Sequence, residues 1–223
     1  MEPSRWRAVI FDMDGVLVDN SPYYAAAWVQ FLTENADLAR SDFPAQQTFG
    51  RRNADLLPEV FGRPLSLPEI DRLGNRLEEL YLERFLPHLV PMPGLIPLLD
   101  GLQRAGIATA VASSAPRRNV SLIVERLGLN GRFAFTLSES DVLRGKPDPQ
   151  IYRLAAQRLG CSAGECLVFE DALVGISAAR GAGMTCVALA SSYPDAMLRE
   201  AGAALVIRDF QDERLAAWMG IAA

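Results

Sequence analysis

The sequence has one histidine and three cysteines, and this scarcity excludes or limits several kinds of metal and catalytic site. With His88 as the only histidine among 223 residues, a histidine-rich zinc site is excluded, and a Ser-His-Asp triad is possible only if His88 serves it. The cysteines follow neither CxxC nor another familiar metal spacing. Because Cys166 and Cys186 lie in apolar runs, we expect them to be buried free thiols.

The chain also lacks a basic excess and a long apolar run. Its 22 Lys and Arg against 27 Asp and Glu give a net charge of -5, which disfavours a nucleic-acid partner, since such proteins neutralise phosphates with clustered basic residues. A run of about 18 apolar residues and a cleavable signal pattern are both missing from the sequence. We therefore expect a cytoplasmic protein without a membrane partner, as a monomer or weak homodimer.

What the sequence does contain is an alternation of short apolar runs and helical patterns. Such runs, without polar residues at every second position, are typical of strands buried on both faces of a parallel sheet. Three of the helical patterns end on Gly106, Gly128 and Gly160, where a glycine just after a helix is expected. The alternation predicts an α/β fold with a doubly wound, Rossmann-like parallel sheet. The predicted strands are AVIF (8–11), IATAVA (107–112), CLVF (166–169), TCVALA (185–190) and ALVI (204–207).

One segment interrupts this alternation. Between about residues 21 and 90 the patterns are helical, without a convincing strand, and the segment ends in a stretch rich in proline. We expect residues 20–90 to form a small α-helical cap domain inserted directly after the first strand. Residues 1–19 and 91–223 would then form the α/β core domain.

Polar side chains follow the apolar runs, where ligands collect in open α/β sheets, at the carboxyl ends of the strands. They are Asp12 and Asp14, then Ser113 and Ser114, then Lys146 in a loop, and finally Glu170 and Asp171. Each feature alone has a simpler explanation, such as a solvated loop, a helix cap or a surface lysine. Their recurrence at successive strand ends favours one shared site. Carboxylates without nitrogen or sulfur ligands favour a hard cation, most plausibly Mg²⁺, bound partly through substrate phosphate oxygens.

The spacing of this set is compatible with phosphoryl transfer. Asp12 and Asp14 project to the same side of an extended chain, so Asp12 could attack phosphorus while Asp14 moves protons to the leaving group and from water. Lys146 and Ser113 would hold the phosphoryl oxygens, and Lys146 would also offset the clustered negative charge.

These residues lie in stretches that resemble a known family. FDMDGVLVDN, VASSA, GKPDPQIY and VFEDALVGISAARGAGM resemble the four motifs of the haloacid dehalogenase-like hydrolase superfamily, in order and at familiar spacing. The nearest resemblance is to the β-phosphoglucomutase/phosphatase-like branch, which carries a helical cap. The resemblance implies that Asp12 forms an aspartyl-phosphate and that Asp14 is the general acid and base. The implied Mg²⁺ ligands are Asp12, Asp171 and the backbone carbonyl of Met13, with Glu170 as a further candidate.

Residues that differ from the pattern of this branch disfavour some of the reactions known in the family. Asp14 disfavours dehalogenation, since a halide needs no proton, and the absence of lysine from residues 20–90 disfavours phosphonate hydrolysis through a Schiff base. Tyr24 and Leu77 stand where β-phosphoglucomutases carry a histidine and a lysine. We therefore expect a Mg²⁺-dependent phosphatase acting on a small phosphorylated metabolite, such as a sugar phosphate. A sugar phosphate mutase is the alternative, and a receiver-like signalling domain is a remote one, since receivers are about half this length and lack a cap.

The cap stretch TFGRRNADLLPEVFG (48–62) resembles the substrate-specificity loop of the branch, with Gly50 at the turn. Arg51, Arg52 and Asn53 would face the active site, where arginine suits a second anionic or polyhydroxyl group. The alternative is that both arginines are solvated and that Asn53 only caps a helix. The other predicted substrate-binding residues are Asn20, Tyr24 and Ser114, and Tyr24 could equally be a packing residue.

Overall fold

The structure of the protein is a computed structural model that describes residues 5–39 and 48–220. Its centre is a sheet of six parallel strands in the order β3-β2-β1-β4-β5-β6. The strands are β1 (Ala8–Phe11), β2 (Ala108–Ala112), β3 (Thr136–Leu137), β4 (Cys166–Glu170), β5 (Thr185–Leu189) and β6 (Leu205–Ile207). All five predicted strands are confirmed, and the parallel, doubly wound sheet is confirmed with them.

Helices cover both faces of this sheet. Alternate residues of β1 point to opposite faces, so Val9 and Phe11 join one hydrophobic cluster while Ala8 and Ile10 join the other. The helices outside the cap region are α4 (Leu95–Arg104), α5 (Arg117–Arg126), α6 (Gln150–Leu159), α7 (Leu173–Gly181), α8 (Asp195–Glu200) and α9 (Glu213–Met219). Helices α4, α5 and α9 pack on the Phe11 face, and α6, α7 and α8 pack on the Ile10 face.

The strand register brings the site residues together. In the register of the sheet, Phe11 of β1 is level with Val111 of β2 and with Phe169 of β4. The three central strands therefore end at one edge, and the loops that follow them meet there.

Three α-helices lie between β1 and α4 in the part of this stretch that the structure describes, as the sequence predicts. They are α1 (Ser21–Glu34), α2 (Asn53–Val60) and α3 (Leu67–Phe85), and they pack through buried side chains that include Trp28, Phe31, Leu77 and Tyr81. Helix α3 begins with a capping box, in which Ser66 and Glu69 satisfy each other's backbone N–H groups. Where the chain returns from these helices, the Met92 N–H donates to the Leu17 carbonyl at 2.8 Å. This hydrogen bond joins the segment that leads into the cap to the segment that returns from it.

The sequence-based expectations omit three short elements. Strand β3 has two residues, too few to produce an apolar run, and it is held as an edge strand by pairing with β2. Helices α8 and α9 are also short, and each buries only one or two side chains.

Cys166 and Cys186 are free and buried as expected. None of the helices in the described ranges is both long enough and apolar enough to cross a membrane.

Candidate active site

Asp12 lies at the centre of the edge where β1, β2 and β4 end. Its N–H donates to the Phe169 carbonyl at 2.9 Å, which continues the β1–β4 ladder and fixes the backbone. The residue is only 2% exposed. Burial raises the pKa of Asp12 well above its usual range and neighbouring Glu170 and Asp14 add to this, while Lys146 opposes it.

Lys146 is the only lysine of the chain, against 21 arginines, and its side chain is fully buried at this edge. Its ammonium nitrogen donates to Asp12 Oδ1 at 2.7 Å, to Glu170 Oε1 at 2.6 Å and to the Ala112 carbonyl at 3.2 Å. Burial by itself would lower the pKa of Lys146, but the two carboxylates raise it above its ordinary value. The lysine is therefore a fixed cation between two acids.

Glu170 holds Lys146 in place from the end of β4. Its Oε1 also accepts from the Tyr152 hydroxyl at 2.7 Å, and its Oε2 accepts the backbone N–H groups of Asp171 and Ala172 at 2.9 and 3.0 Å. Both carboxylate oxygens are thus engaged by protein donors. This arrangement suits the anchoring of Lys146 better than direct coordination of a cation.

A metal ion would fit beside Asp12. Asp12, Glu170 and Asp171 offer carboxylate oxygens within 4.8 Å of one another, and all three residues are buried. Burial raises the pKa of Asp171 well above its usual range, and the nearby acids raise it further. A buried, oxygen-only donor set with this much negative charge matches a hard divalent cation such as Mg²⁺. The Met13 carbonyl, a further ligand implied by the resemblance, accepts the Val16 and Leu17 N–H groups within the turn, and its role as a ligand stays a prediction.

Gly15 allows the turn after Asp14 to lie against Asp171. Its φ is +71°, a left-handed conformation that favours glycine, and a Cβ atom there would collide with the Asp171 carboxylate. Ser191 donates to the Gly15 carbonyl at 2.7 Å, and Ser192 donates to Asp171 Oδ2. The loop after β5 therefore orients Asp171, a contribution that sequence reasoning missed.

Asp14 faces the cleft beside Asp12 and is held by Asn20. The Asn20 amide donates to Asp14 Oδ1 at 2.6 Å and is itself 2.7 Å from the Tyr81 hydroxyl, while its carbonyl oxygen accepts the Gly15 N–H at 3.0 Å. Burial raises the pKa of Asp14 to about 6, against the hydrogen bond from Asn20 that lowers it. Asn20 lines the cleft and orients the Asp14 carboxyl group, and its predicted contact with substrate stays a prediction.

The two serines after β2 have different surroundings. Ser113 is fully buried, and its hydroxyl accepts the Ala115 N–H at 3.0 Å. Ser114 lines the cleft and donates to the Gly50 carbonyl at 2.7 Å, which joins the core to the cap. Gly50 has a φ of +76°, and a Cβ atom there would lie 2.7 Å from Ala172 Cβ, so glycine permits this close approach.

The cleft between core and cap is nearly closed, with a cavity of about 40 Å³. That volume holds only a few water molecules, so the cleft in this state is too small for a larger ligand. Its lining includes Asp12, Asp14, Tyr24, Asn53 and Glu78. Tyr24 also packs edge-on against Tyr81 at 5.5 Å between ring centroids, so it both lines the cleft and packs within the cap.

The predicted cap arginines are both paired with acids. Arg51 lines the cleft, but its guanidinium binds both carboxylate oxygens of Glu59, at 2.9 and 2.6 Å. Arg52 is not among the residues that line this cleft. It pairs with Asp55 at 2.7 and 2.8 Å and donates to the core carbonyls of Val142 and Leu143.

Sequence reasoning also missed Glu78, Tyr81 and Asn119. A signal for Glu78 was present, because it falls four residues after Gly74 and three before Tyr81, on the buried face of α3. An acid on the apolar face of an amphipathic helix is unusual unless it has buried partners. Leu77, by contrast, is fully buried among hydrophobic side chains and does not line the cleft.

Comparisons with known proteins agree with this geometry. The profile of the haloacid dehalogenase-like hydrolase family matches residues 6–183. The chain is 32% identical to the β-phosphoglucomutase of Bacillus subtilis, over 92% of this chain and 91% of that protein. It is equally 32% identical to the phosphorylated carbohydrates phosphatase of Thermotoga maritima, over 90% and 94%. It also matches a much longer Arabidopsis thaliana protein, of which it covers 19% of the length.

A solved structure shares the whole architecture. A hydrolase from Pseudomonas syringae superposes with a TM-score of 0.82 at 28% identity, over 97% of this chain and 99% of that one. The family profile covers most of the chain, and the two relatives of similar length are matched almost end to end. The chain therefore belongs to the haloacid dehalogenase-like hydrolase family, in its β-phosphoglucomutase-like branch, and is an enzyme of the phosphatase type.

Proposed function

We propose that the protein is a Mg²⁺-dependent phosphatase that hydrolyses a small phosphomonoester, such as a sugar phosphate, through phosphorylation of Asp12. The observation that carries the proposal is the contact of Asp12 with the buried Lys146, next to Asp171 and beneath a cleft that Asp14 lines. The cap–core boundaries at 19/20 and 90/91 and a cytoplasmic location belong to the same proposal.

Asp12 and Asp171 would hold the Mg²⁺ ion, with Glu170 next to them. When bound, the ion would supply positive charge that offsets the phosphoryl oxygens and keeps the buried acids ionised. Lys146 supplies a second, permanent positive charge, in contact with Asp12 Oδ1 and Glu170 Oε1. Ser113, Ser114 and Lys146 would orient the phosphoryl group.

In the first half-reaction an Asp12 carboxylate oxygen attacks phosphorus, and the bond from phosphorus to the leaving oxygen breaks. Asp14 gives its proton to that oxygen, so the leaving group departs as an alcohol. In the second half-reaction Asp14 takes a proton from water as the water attacks the phosphorus of phospho-Asp12. Inorganic phosphate leaves, and both aspartates return to their starting state.

The experiment is phosphate release from p-nitrophenyl phosphate and from a panel of sugar phosphates, with Mg²⁺ and with a chelator. Asp12→Asn is expected to abolish release, since the amide is not a nucleophile. Asp19→Asn is the matched control, because Asp19 lies in the same loop but is exposed. Activity that survives Asp12→Asn, or that ignores the chelator, would refute the proposal.

A sugar phosphate mutase is the second candidate, favoured by the similarity to the Bacillus subtilis β-phosphoglucomutase. Tyr24 and the buried Leu77 at the positions where that activity would place a histidine and a lysine favour hydrolysis. A coupled assay that converts β-glucose 1-phosphate to glucose 6-phosphate, primed with the bisphosphate, separates the two. Fast isomerisation with little release of phosphate would establish the mutase.

A further inference from the structure

A carboxyl group lies in the cleft on the cap side, away from the proposed metal ligands. Glu78 of α3 is 4% exposed and lines the same cleft as Asp12 and Asp14. Its Oε1 accepts from the Asn53 amide at 2.7 Å, and its Oε2 accepts from the Asn119 amide at 2.5 Å. Asn53 begins α2 in the cap, while Asn119 lies on α5 of the core. Glu78 therefore receives hydrogen bonds from both sides of the cleft.

The cluster of Glu78, Asn53 and Asn119 contains hydrogen-bond acceptors that no donor in the described part of the chain satisfies. Asn53 Oδ1 and Asn119 Oδ1 are buried and have no hydrogen-bond partner among the described residues. Asn53 lines the cleft and is 7% exposed, while its unpaired oxygen is itself buried. Buried acceptors without a donor are costly, and a ligand that brings O–H groups would remove that cost.

The charges around Glu78 make this end of the cleft negative. Burial raises the pKa of Glu78, and nearby Asp14 and Glu139 raise it further, while the Asn53 hydrogen bond and the exposed Arg118 oppose this. Within residues 5–39 and 48–220, Glu78 has no ion pair. Arg51 also lines the cleft, but Glu59 already neutralises it. A second phosphate or carboxylate on the substrate would meet acceptors and negative charge there.

We propose that Glu78 and Asn53, backed by Asn119, form the subsite for the leaving group and select a phosphomonoester whose leaving group is a neutral polyol or sugar. Hydroxyl groups of the leaving group donate to Asn53 Oδ1 and to the Glu78 carboxylate. A leaving group that ends in a second anion is rejected. This inference rests on the proposed phosphatase function and deepens it by naming the substrate class.

The test uses two substrates that differ only at the end remote from the phosphate. Sorbitol 6-phosphate ends in a hydroxymethyl group, and 6-phosphogluconate ends in a carboxylate. At pH 8, where Glu78 is largely ionised, the kcat/KM of the wild type is expected to favour sorbitol 6-phosphate by about tenfold or more, because like charges brought together in a buried site are strongly disfavoured.

Glu78→Gln removes the charge and keeps the size, so the ratio of the two kcat/KM values is expected to fall by about fivefold or more. Glu79→Gln, a neighbour on the exposed side of α3, is the matched control and leaves the ratio unchanged. Hydrolysis of p-nitrophenyl phosphate, which has no hydroxyl groups on its leaving group, is expected to be unchanged in Glu79→Gln. Circular dichroism and thermal melts check folding, and Glu78→Met is the replacement if the glutamine variant does not fold.

Two results would overturn the inference. One is a wild type that hydrolyses 6-phosphogluconate as well as sorbitol 6-phosphate, and the other is a ratio that Glu78→Gln and Glu78→Met leave unchanged. If no phosphomonoester is hydrolysed, the proposed function fails by itself. The subsite is then tested by calorimetric titration of the same two compounds into wild type and Glu78→Gln, with the same expected preference.

Discussion

The Lys146 ammonium lies 2.7 Å from the carboxylate of Asp12, although 134 positions separate the two residues in the chain. Both side chains are almost completely buried, and Glu170 contacts the same ammonium from the other side. The contact therefore joins two parts of the site that are remote in sequence, and the stability and reactivity of the site both depend on it.

Lys146→Met is expected to destabilise the protein by about 3–5 kcal/mol, because it leaves two buried carboxylates without their cation. Denaturant unfolding at pH 7 with a chelator present measures the loss. Arg144→Met is the control, since Arg144 is 73% exposed and pairs with Asp148 at the surface, where an ion pair contributes at most about 1 kcal/mol. Equal losses in the two variants would contradict the buried pair as a source of stability.

Asn20→Ala is expected to reduce kcat on a sugar phosphate by roughly ten- to a hundredfold, because Asp14 loses the donor that orients it for proton transfer. The loss should be much smaller with p-nitrophenyl phosphate, whose leaving group needs little protonation. A purely structural role for Asn20 would slow both substrates alike. Comparing the two kcat values, together with the pH profile of each, distinguishes the roles.

Arg52→Ala is expected to raise KM more than it lowers kcat, because Arg52 joins α2 to the core carbonyls of Val142 and Leu143 and so favours cap closure. Hydrogen exchange in α2 should become faster. Arg63→Ala is the control, since the partners of Arg63 among the described residues, Glu69 and the Pro64 carbonyl, are neighbouring groups of the cap. Unchanged exchange in α2 of the Arg52 variant would show that this contact does not hold the cap closed.

Glu78 should make stability depend on pH. Burial raises the pKa of Glu78 from 4.5 to about 7, with Asp14 and Glu139 adding to the effect and the Asn53 hydrogen bond and Arg118 opposing it. The folded state therefore holds a proton that the unfolded state has released, and Glu78 costs stability increasingly as pH rises from 4.5 to 7. The total cost is about 3 kcal/mol.

Glu78→Gln lacks this cost, so its free energy of unfolding relative to wild type should rise between pH 4.5 and 8. Urea unfolding of both proteins across this range measures the difference. The acids near Asp12 titrate in both proteins and largely cancel in the comparison. A difference that stays constant with pH would show that Glu78 titrates near its ordinary pKa.

Much of the fold was predictable because it follows from short-range patterns of apolar residues and glycines in the sequence. The buried strands appear as short apolar runs, and Gly106, Gly128 and Gly160 follow their helices with positive φ. Since parallel strands end at one edge of the sheet, the residues after those runs could be assigned to one site before any contact was known. Asp12, Asp14, Lys146 and Asp171 were predicted in this way, and their catalytic and metal-binding roles stay predictions.

Only the tertiary structure decided how the cap meets the core. The stretch that resembles the specificity loop has two adjacent arginines with the same local chemistry, yet Arg51 lines the cleft and Arg52 contacts core carbonyls instead. Likewise Glu78, on α3 of the cap, acquires Asn119, on α5 of the core, as a partner. The sequence by itself determined five of the six described strands, the longer helices and the edge where the acids collect, because these follow from periodicity along the chain. The partners of each buried charge depend on contacts between distant segments, which no periodic pattern encodes.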